Sequence, residues 1–199
     1  MTTTRRNILL LSLFLIGSYH AVMAQLGPDV YKYEKKTEDN RMVYQLMVDH
    51  QYAILSIYKA NPPEFVKTLG GFYTIEDDAL EIQLEFNSNF PKDSLMQLDI
   101  PFSKNKNGIK LQLDGKKDFE IMPKVKQDLD GEWLFSARTA DLDKGRREAT
   151  NPRKTLKFLL DGRFQWTAYN SETFEFFGTG GGAFTSKNGK YEENIEFFS

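Results

Sequence analysis

Tyr58–Ser88 reads YKANPPEFVKTLGGFYTIEDDALEIQLEFNS, and Tyr169–Ser199 reads YNSETFEFFGTGGGAFTSKNGKYEENIEFFS. At a constant offset of 111 residues the two share Tyr58/Tyr169, Glu64/Glu175, Thr68/Thr179, Gly70/Gly181, Gly71/Gly182, Thr74/Thr185, Glu81/Glu192, Glu85/Glu196, Phe86/Phe197 and Ser88/Ser199. Unrelated segments of this length share about one or two identities, so the chain is a tandem duplication. After Ser88 the first copy runs on to Pro123, whereas the second stops at Ser199. The expectation is that copy two is incomplete. These residues are then either part of a longer natural chain or completed by a partner that pairs with the open strand of copy two.

Both copies read as antiparallel strands. Apolar and polar residues alternate in Leu80-Glu81-Ile82-Gln83-Leu84-Glu85-Phe86, in Met96-Gln97-Leu98-Asp99-Ile100 and in Ile109-Lys110-Leu111-Gln112-Leu113. Period two with one apolar face describes a strand that covers a core on one side. Leu80, Ile82, Leu84 and Phe86 are therefore expected to point inward. Asn107-Gly108, Asp114-Gly115, Asp161-Gly162 and Asn188-Gly189 lie between such runs, and these dipeptides tolerate the positive φ that tight hairpins require.

Eight strands are expected in copy one, at 29–34, 41–48, 51–58, 65–75, 79–87, 95–102, 109–113 and 117–121. Five are expected in copy two, at 131–138, 154–160, 163–169, 174–186 and 189–198. Consecutive short strands joined by hairpins point to an up-and-down barrel, with a two-sheet sandwich as the rival arrangement.

Ahead of the repeats, Arg5-Arg6, the apolar run Ile8–Ile16 and Val22-Met23-Ala24 form the n-region, h-region and cleavage site of a secretory leader. The domain reading is 1–24 leader, 25–123 first barrel domain and 128–199 second barrel domain, with cleavage after Ala24. Without Arg5 and Arg6 the chain holds 24 basic and 28 acidic residues, a net charge of −4. Such a chain has no general attraction for phosphate backbones, so nucleic acid is excluded as a partner. No later run reaches transmembrane length. The absence of cysteine removes disulfides, thiol chemistry and thiolate metal sites. The location implied is secreted, periplasmic or at the cell surface.

Copy two opens with Gly131-Glu132-Trp133 and continues with Arg163-Phe164-Gln165-Trp166, Gly178-Thr179-Gly180-Gly181-Gly182, Asn188-Gly189-Lys190-Tyr191 and Ile195-Glu196-Phe197-Phe198-Ser199. This resembles a lipocalin-like domain of uncharacterised secreted bacterial proteins. The resemblance covers roughly 128–199 and reaches copy one through the repeat. It implies an all-β fold of two tandem lipocalin-like up-and-down barrels, the second incomplete, and no particular activity. Copy one departs from the pattern, having Val30-Tyr31-Lys32-Tyr33 where a glycine-x-tryptophan opening is expected.

Catalytic chemistry finds little support. His20 lies in the leader and His50 in the turn Asp49-His50, so neither a histidine triad nor a histidine zinc site is available. Glu81 and Glu85 lie four residues apart on one strand, about 14 Å. Glycosidase carboxylates stand about 5–9.5 Å apart, so one strand cannot supply both, and a partner such as Asp99 would be needed. An outward row of cross-strand charges is the simpler reading of these acids. Gly180-Gly181-Gly182 precedes a strand and not a helix, which fits a bulged strand better than a phosphate cradle. Thr139–Arg153 is a long polar loop with Lys144, Arg146, Arg147 and Arg153. The lipocalin-like resemblance implies that it overhangs a barrel mouth, and a solvated loop whose charge Asp141, Asp143 and Glu148 nearly balance is the simpler reading.

The function expected is non-enzymatic, without cofactor or metal: binding of a small apolar or amphipathic ligand inside the barrel of copy one. The expected lining is Ile54, Leu84, Phe86, Trp133, Phe164, Trp166, Tyr191 and Phe197. A structural or interaction module of the cell envelope with filled barrels is the alternative, and a carboxylate-dependent glycan hydrolase the third.

Overall fold

The computed structural model describes residues 26–38 and 40–199; the expected leader, 1–24, lies outside them. Copy one forms β1 (Asp29–Lys36), β2 (Arg41–Val48), β3 (Tyr52–Ala60), β4 (Pro63–Glu76), β5 (Ala79–Asn87), β6 (Gln97–Asn105), β7 (Gly108–Leu113) and β8 (Gly115–Ile121). Each strand pairs antiparallel with the next. β8 returns to β1 through Tyr31↔Ile121 and Lys32↔Glu120, so the sheet closes into a barrel and leaves no edge. One helical turn, α1 (Phe90–Asp93), joins β5 to β6.

Copy two forms β9 (Gly131–Leu134), β10 (Arg153–Leu160), β11 (Arg163–Asn170), β12 (Phe176–Lys187) and β13 (Lys190–Phe198), with a 3-10 turn at Thr139–Lys144. These strands make an open sheet in the order β13-β12-β11-β10-β9. Copy two is therefore a five-stranded sheet and not a barrel.

The duplication extends to backbone register. Val48↔Ala53 recurs as Leu159↔Phe164, Tyr58↔Phe65 as Tyr169↔Phe176, and Gly70↔Phe86 as Gly181↔Phe197. Both copies slip register at the same two points, Ile57/Tyr58 with Ala168/Tyr169, and Gly70/Gly71 with Gly181/Gly182. The first strands follow a shorter offset. Asp29 pairs with Val48 and Gly131 with Leu159, so Asp29-Val30-Tyr31 stands where copy two has Gly131-Glu132-Trp133.

Apolar side chains fill the barrel. Tyr31, Leu46, Leu55, Leu69, Leu80, Ile82, Leu84, Ile100, Ile109, Leu111 and Phe119 form one buried cluster. That is what eight strands are just wide enough to hold. Phe174, from the β11–β12 turn of copy two, joins this cluster and stacks on Phe90 with centroids 4.6 Å apart.

A second core lies outside the barrel. Val30, Met47, Tyr52, Ile54 and Phe86 meet Leu156, Phe158, Leu160 and Tyr169, and Val43 and Tyr58 meet Phe197. The open sheet thus packs face to face on the wall formed by β1–β5.

The inward reading of β5 holds for Leu80, Ile82 and Leu84 and fails for Phe86. Leu84 pairs with Gly71 and Phe86 with Gly70, leaving Glu85 as the extra residue of a bulge. Past a bulge the alternation inverts, so Phe86 faces copy two. The glycine pair makes this geometry feasible: a Cβ on Gly70 would stand 2.8 Å from the Phe86 ring, and one on Gly71 would collide with the Gln83 carbonyl.

Candidate functional site

Two features stand apart from ordinary core packing: a polar interface between the copies and an uncovered aromatic face on copy two.

Reciprocal contacts build the interface. Tyr58 donates its hydroxyl to Glu196 at 2.8 Å, and Tyr169 donates to Glu85 at 2.7 Å. Phe197 stacks on Tyr58 with centroids 4.5 Å apart, and Phe86 packs on Tyr169 at 4.9 Å. Each carboxylate also takes a donor from its own copy at one equivalent position. Tyr52 reaches Glu85 at 3.0 Å, while Arg163 grips both oxygens of Glu196 at 2.6 and 2.7 Å. Lys154 crosses to Glu85 at 2.5 Å.

Between these ends Gln165 accepts from Ser56 at 2.5 Å. It donates to Thr68 at 2.9 Å, Thr179 at 3.1 Å and Thr167 at 3.2 Å, so the buried amide is satisfied. Burial raises the Tyr58 and Tyr169 hydroxyls well above the usual phenol range, and the facing carboxylates add to it. Burial alone would raise Glu196 as well, but the hydrogen bonds and charge of Arg163 hold it below the usual carboxylate range.

Residue i of one copy meets residue j of the other, and j meets i: this is the contact pattern of a two-fold interface. The repeat identities Tyr58/Tyr169, Glu85/Glu196 and Phe86/Phe197 are explained by it, whereas Thr68 and Thr179 make equivalent bonds inside their own copies, to Ser56 and the Leu55 carbonyl and to Thr167 and the Trp166 carbonyl. Phe65/Phe176 is a further identical pair, and sequence reading passed over it. Glu85 and Glu196 are interface groups, not members of a solvated row.

The opposite face of copy two corresponds to the barrel lumen of copy one. Trp133, Lys157, Trp166 and Gly180 pair in a row across β9–β12. Gly180 has no side chain because the Trp166 Nε1 occupies that space, 2.6 Å from where a Cβ would stand. Leu159, Phe164 and Phe184 are buried at one end of this face. Trp133, Tyr191 and Ile195 are 51%, 40% and 55% exposed. The Lys157 ammonium lies over the Phe164 and Tyr191 rings at 5.6 and 5.5 Å and is ion-paired with Glu193.

Of the eight residues expected to line a ligand site, Trp133, Phe164, Trp166 and Tyr191 come together on this open face. Leu84 lies in the filled barrel. Ile54, Phe86 and Phe197 lie in or beside the inter-copy interface. The periodicity of β3 and β5 indicated burial, but not that the barrel's outer wall is buried too.

The other candidate groups remain dispersed. Glu81 and Asp99 are register partners on the barrel's outer wall. His50 lies in the β2–β3 turn, where Asp49 accepts from the Gln51 and Tyr52 amides. Among the described residues no group of three His, Cys, Asp or Glu side chains can hold a metal ion, and no helix is long and apolar enough to cross a membrane. In the long loop the Arg147 guanidinium lies over Phe135 at 5.8 Å, and Arg153, at its end, lies over Phe177 at 3.7 Å. Comparison with known families, curated proteins and solved structures finds no match.

Proposed function

We propose that this is a secreted, non-enzymatic, lipocalin-like binding protein of the periplasm or cell surface. Its binding surface is the open aromatic face of copy two, and its ligand is a small molecule with an apolar body. The single observation behind this reading is a contrast within the molecule. The closed barrel is packed with its own side chains, whereas the lumen-equivalent face of copy two leaves Trp133, Tyr191 and Ile195 largely uncovered. Exposed apolar patches of this kind mark interaction sites. Aromatic faces flanked by one cation and one carboxylate, here Lys157 and Glu193, suit an amphipath. Copy one then serves as the rigid support that holds the face toward solvent.

Both tryptophans of the chain, Trp133 and Trp166, sit on this face, so intrinsic fluorescence reports on it directly. Titration with decanoate should blue-shift the emission saturably. Trp133→Ala, with Trp166 left as reporter, should weaken binding by about tenfold, as expected for loss of an aromatic anchor. An unchanged emission, or equal affinity in Trp133→Ala and Ile195→Glu, would overturn the reading.

A second reading, an interaction module of the envelope, is favoured by a different observation. β13 has β12 on one side and no strand partner on the other among the described residues. An edge of this kind accepts an added strand from a partner.

A further inference from the structure

We infer that the inter-copy face is a self-complementary docking surface made selective by two cations, Lys154 and Arg163, both placed in copy two.

A two-fold interface is complementary to itself. Pairing copy one with another copy one would therefore bring the same tyrosines, phenylalanines and glutamates together as the observed pairing does. What differs is charge. In the observed pairing Glu85 has Lys154 from across the interface, and Glu196 has Arg163 from its own copy, one cation for each carboxylate. At an offset of 111 residues, copy one has Val43 where copy two has Lys154, and Tyr52 where copy two has Arg163. Two copies of copy one would thus bring together two Glu85 carboxylates with hydroxyl donors only. Lys32, whose charge also reaches Glu196, is held by Glu34 at 2.7 Å.

A carboxylate taken from water without its cation is costly, and breaking one side of such a pair is far worse than never forming it. Pairing copy two with copy two would place two cations on each carboxylate. Only the mixed pairing balances. The contacts hold the two copies together, and the placement of Lys154 and Arg163 selects which copies meet, a repulsive element in partner choice.

The two-fold relation makes a specific forecast: a cation supplied from the equivalent position of the other copy should serve equally well. In the full-length chain, Lys154→Val should speed backbone hydrogen exchange in β10–β13 by about tenfold or more while β6–β8 stay protected. Adding Tyr52→Arg, which gives Glu85 an own-copy guanidinium as Arg163 gives Glu196, should restore exchange to within about threefold of the parent. Tyr52→Arg alone should bring no gain, because it adds a surplus cation.

Gln45 accepts from the Arg163 Nε at 2.9 Å, and its equivalent in copy two is Leu156. If the guanidinium introduced by Tyr52→Arg needs that acceptor, Leu156→Gln supplies it, and the triple variant Lys154→Val, Tyr52→Arg, Leu156→Gln provides the second test. Faster exchange in both rescued variants than in the parent, equal to that of Lys154→Val and with β6–β8 still protected, would overturn the inference.

Partner choice has its own readout. The chain carrying Tyr52→Arg, Lys154→Val and Arg163→Tyr balances charge only when copy one meets another copy one. Light scattering should therefore show its mass doubling with concentration while the parent stays monomeric. A monomer with an intact barrel would overturn the selective role of the two cations.

Discussion

Phe65 stacks on Phe176, with centroids 5.9 Å apart and planes 11° from parallel. They are the same residue in successive copies. Given the reciprocal contacts of Tyr58 with Glu196 and of Tyr169 with Glu85, the local two-fold axis passes between these two rings, so this contact locates the axis that relates β2–β5 to β10–β13. Every reciprocal contact of the interface follows from it.

The first prediction tests that position. Phe65→Ala and Phe176→Ala each remove one half of a single contact, so their effects should not add. The double variant should cost less than the sum of the singles by about 0.5–1.5 kcal/mol, the coupling expected of an aromatic pair. Urea unfolding of the four chains provides the cycle. Additivity within about 0.3 kcal/mol would mean that the rings are neighbours without coupling.

A second prediction concerns the Arg163–Glu196 pair, whose arginine side chain is only 8% exposed. Glu196→Ala strands that guanidinium, leaving it Gln45 and Tyr58 as partners among the described residues. The expected loss is about 3 kcal/mol, at the low end for breaking a buried pair because Glu196 is partly wet. Replacing both, as Arg163→Met with Glu196→Leu, should cost less than Glu196→Ala alone, because no charge is left unpaired. Denaturant midpoints at constant m-value report both. A double variant worse than the single would show that the pair stabilises by more than mutual compensation.

The third prediction separates the two faces of β5. Leu84 is 3% exposed inside the barrel, and Leu84→Ala should cost about 2–5 kcal/mol. Phe86 is fully buried against copy two, and Phe86→Ala should cost about 3–5 kcal/mol. Gln83 is exposed, and Gln83→Ala should cost less than about 0.5 kcal/mol. Hydrogen exchange should distinguish the two large losses. Leu84→Ala should loosen β6–β8 as well as β5, whereas Phe86→Ala should loosen β10–β13 first. The same exchange pattern in both would mean that the two cores unfold as one unit.

The strands were legible because period two and Asx-Gly turns are local signals, and every expected strand is present, although β9 stops at Leu134 and β12 starts at Phe176. The closed barrel of copy one was legible from eight strands in meander order. Phe86 was misread because a bulge at a glycine pair inverts alternation without changing composition. The signal was present all the same. Gly70, Gly71, Glu85 and Phe86 all recur in copy two, and a glutamate preserved beside a phenylalanine on an outer wall is hard to explain by solvent exposure. Arg163 gave no such signal. It is not repeated, and its importance lies in what Tyr52 lacks. On the candidate site, strand phase puts Trp133, Phe164, Trp166 and Tyr191 on one face, but whether that face is covered depends on closure of a sheet, which no local pattern encodes.

The last prediction is a pH dependence at the corner of the interface where β9 meets the β2–β3 turn. Glu132 pairs with Phe158 on the side of β9 that faces the barrel. Burial raises its carboxyl first, with further contributions from a hydrogen bond to Asp49 and from the charges of Asp49 and Glu85, to about 8. A carboxyl so raised keeps its proton at neutral pH and can donate it to Asp49, although the Glu132 residue as a whole is exposed on its edge strand. In the unfolded chain its value returns to about 4.5. Between those two values the native state binds a proton that the unfolded state has released, so stability must fall as pH rises through the window from about 4.5 to about 8 and level off above it. Because Glu132 sits on an edge strand open to water, the fall should be modest. Glu132→Gln keeps a donor for Asp49 and cannot ionise. Its urea midpoint should therefore match the parent near pH 5 and exceed it near pH 9, with the gap opening across the window. Parallel curves for the two proteins from about pH 5 to pH 9 would mean that Glu132 ionises in the native state as it does in the unfolded chain, and that this corner of the interface is solvated.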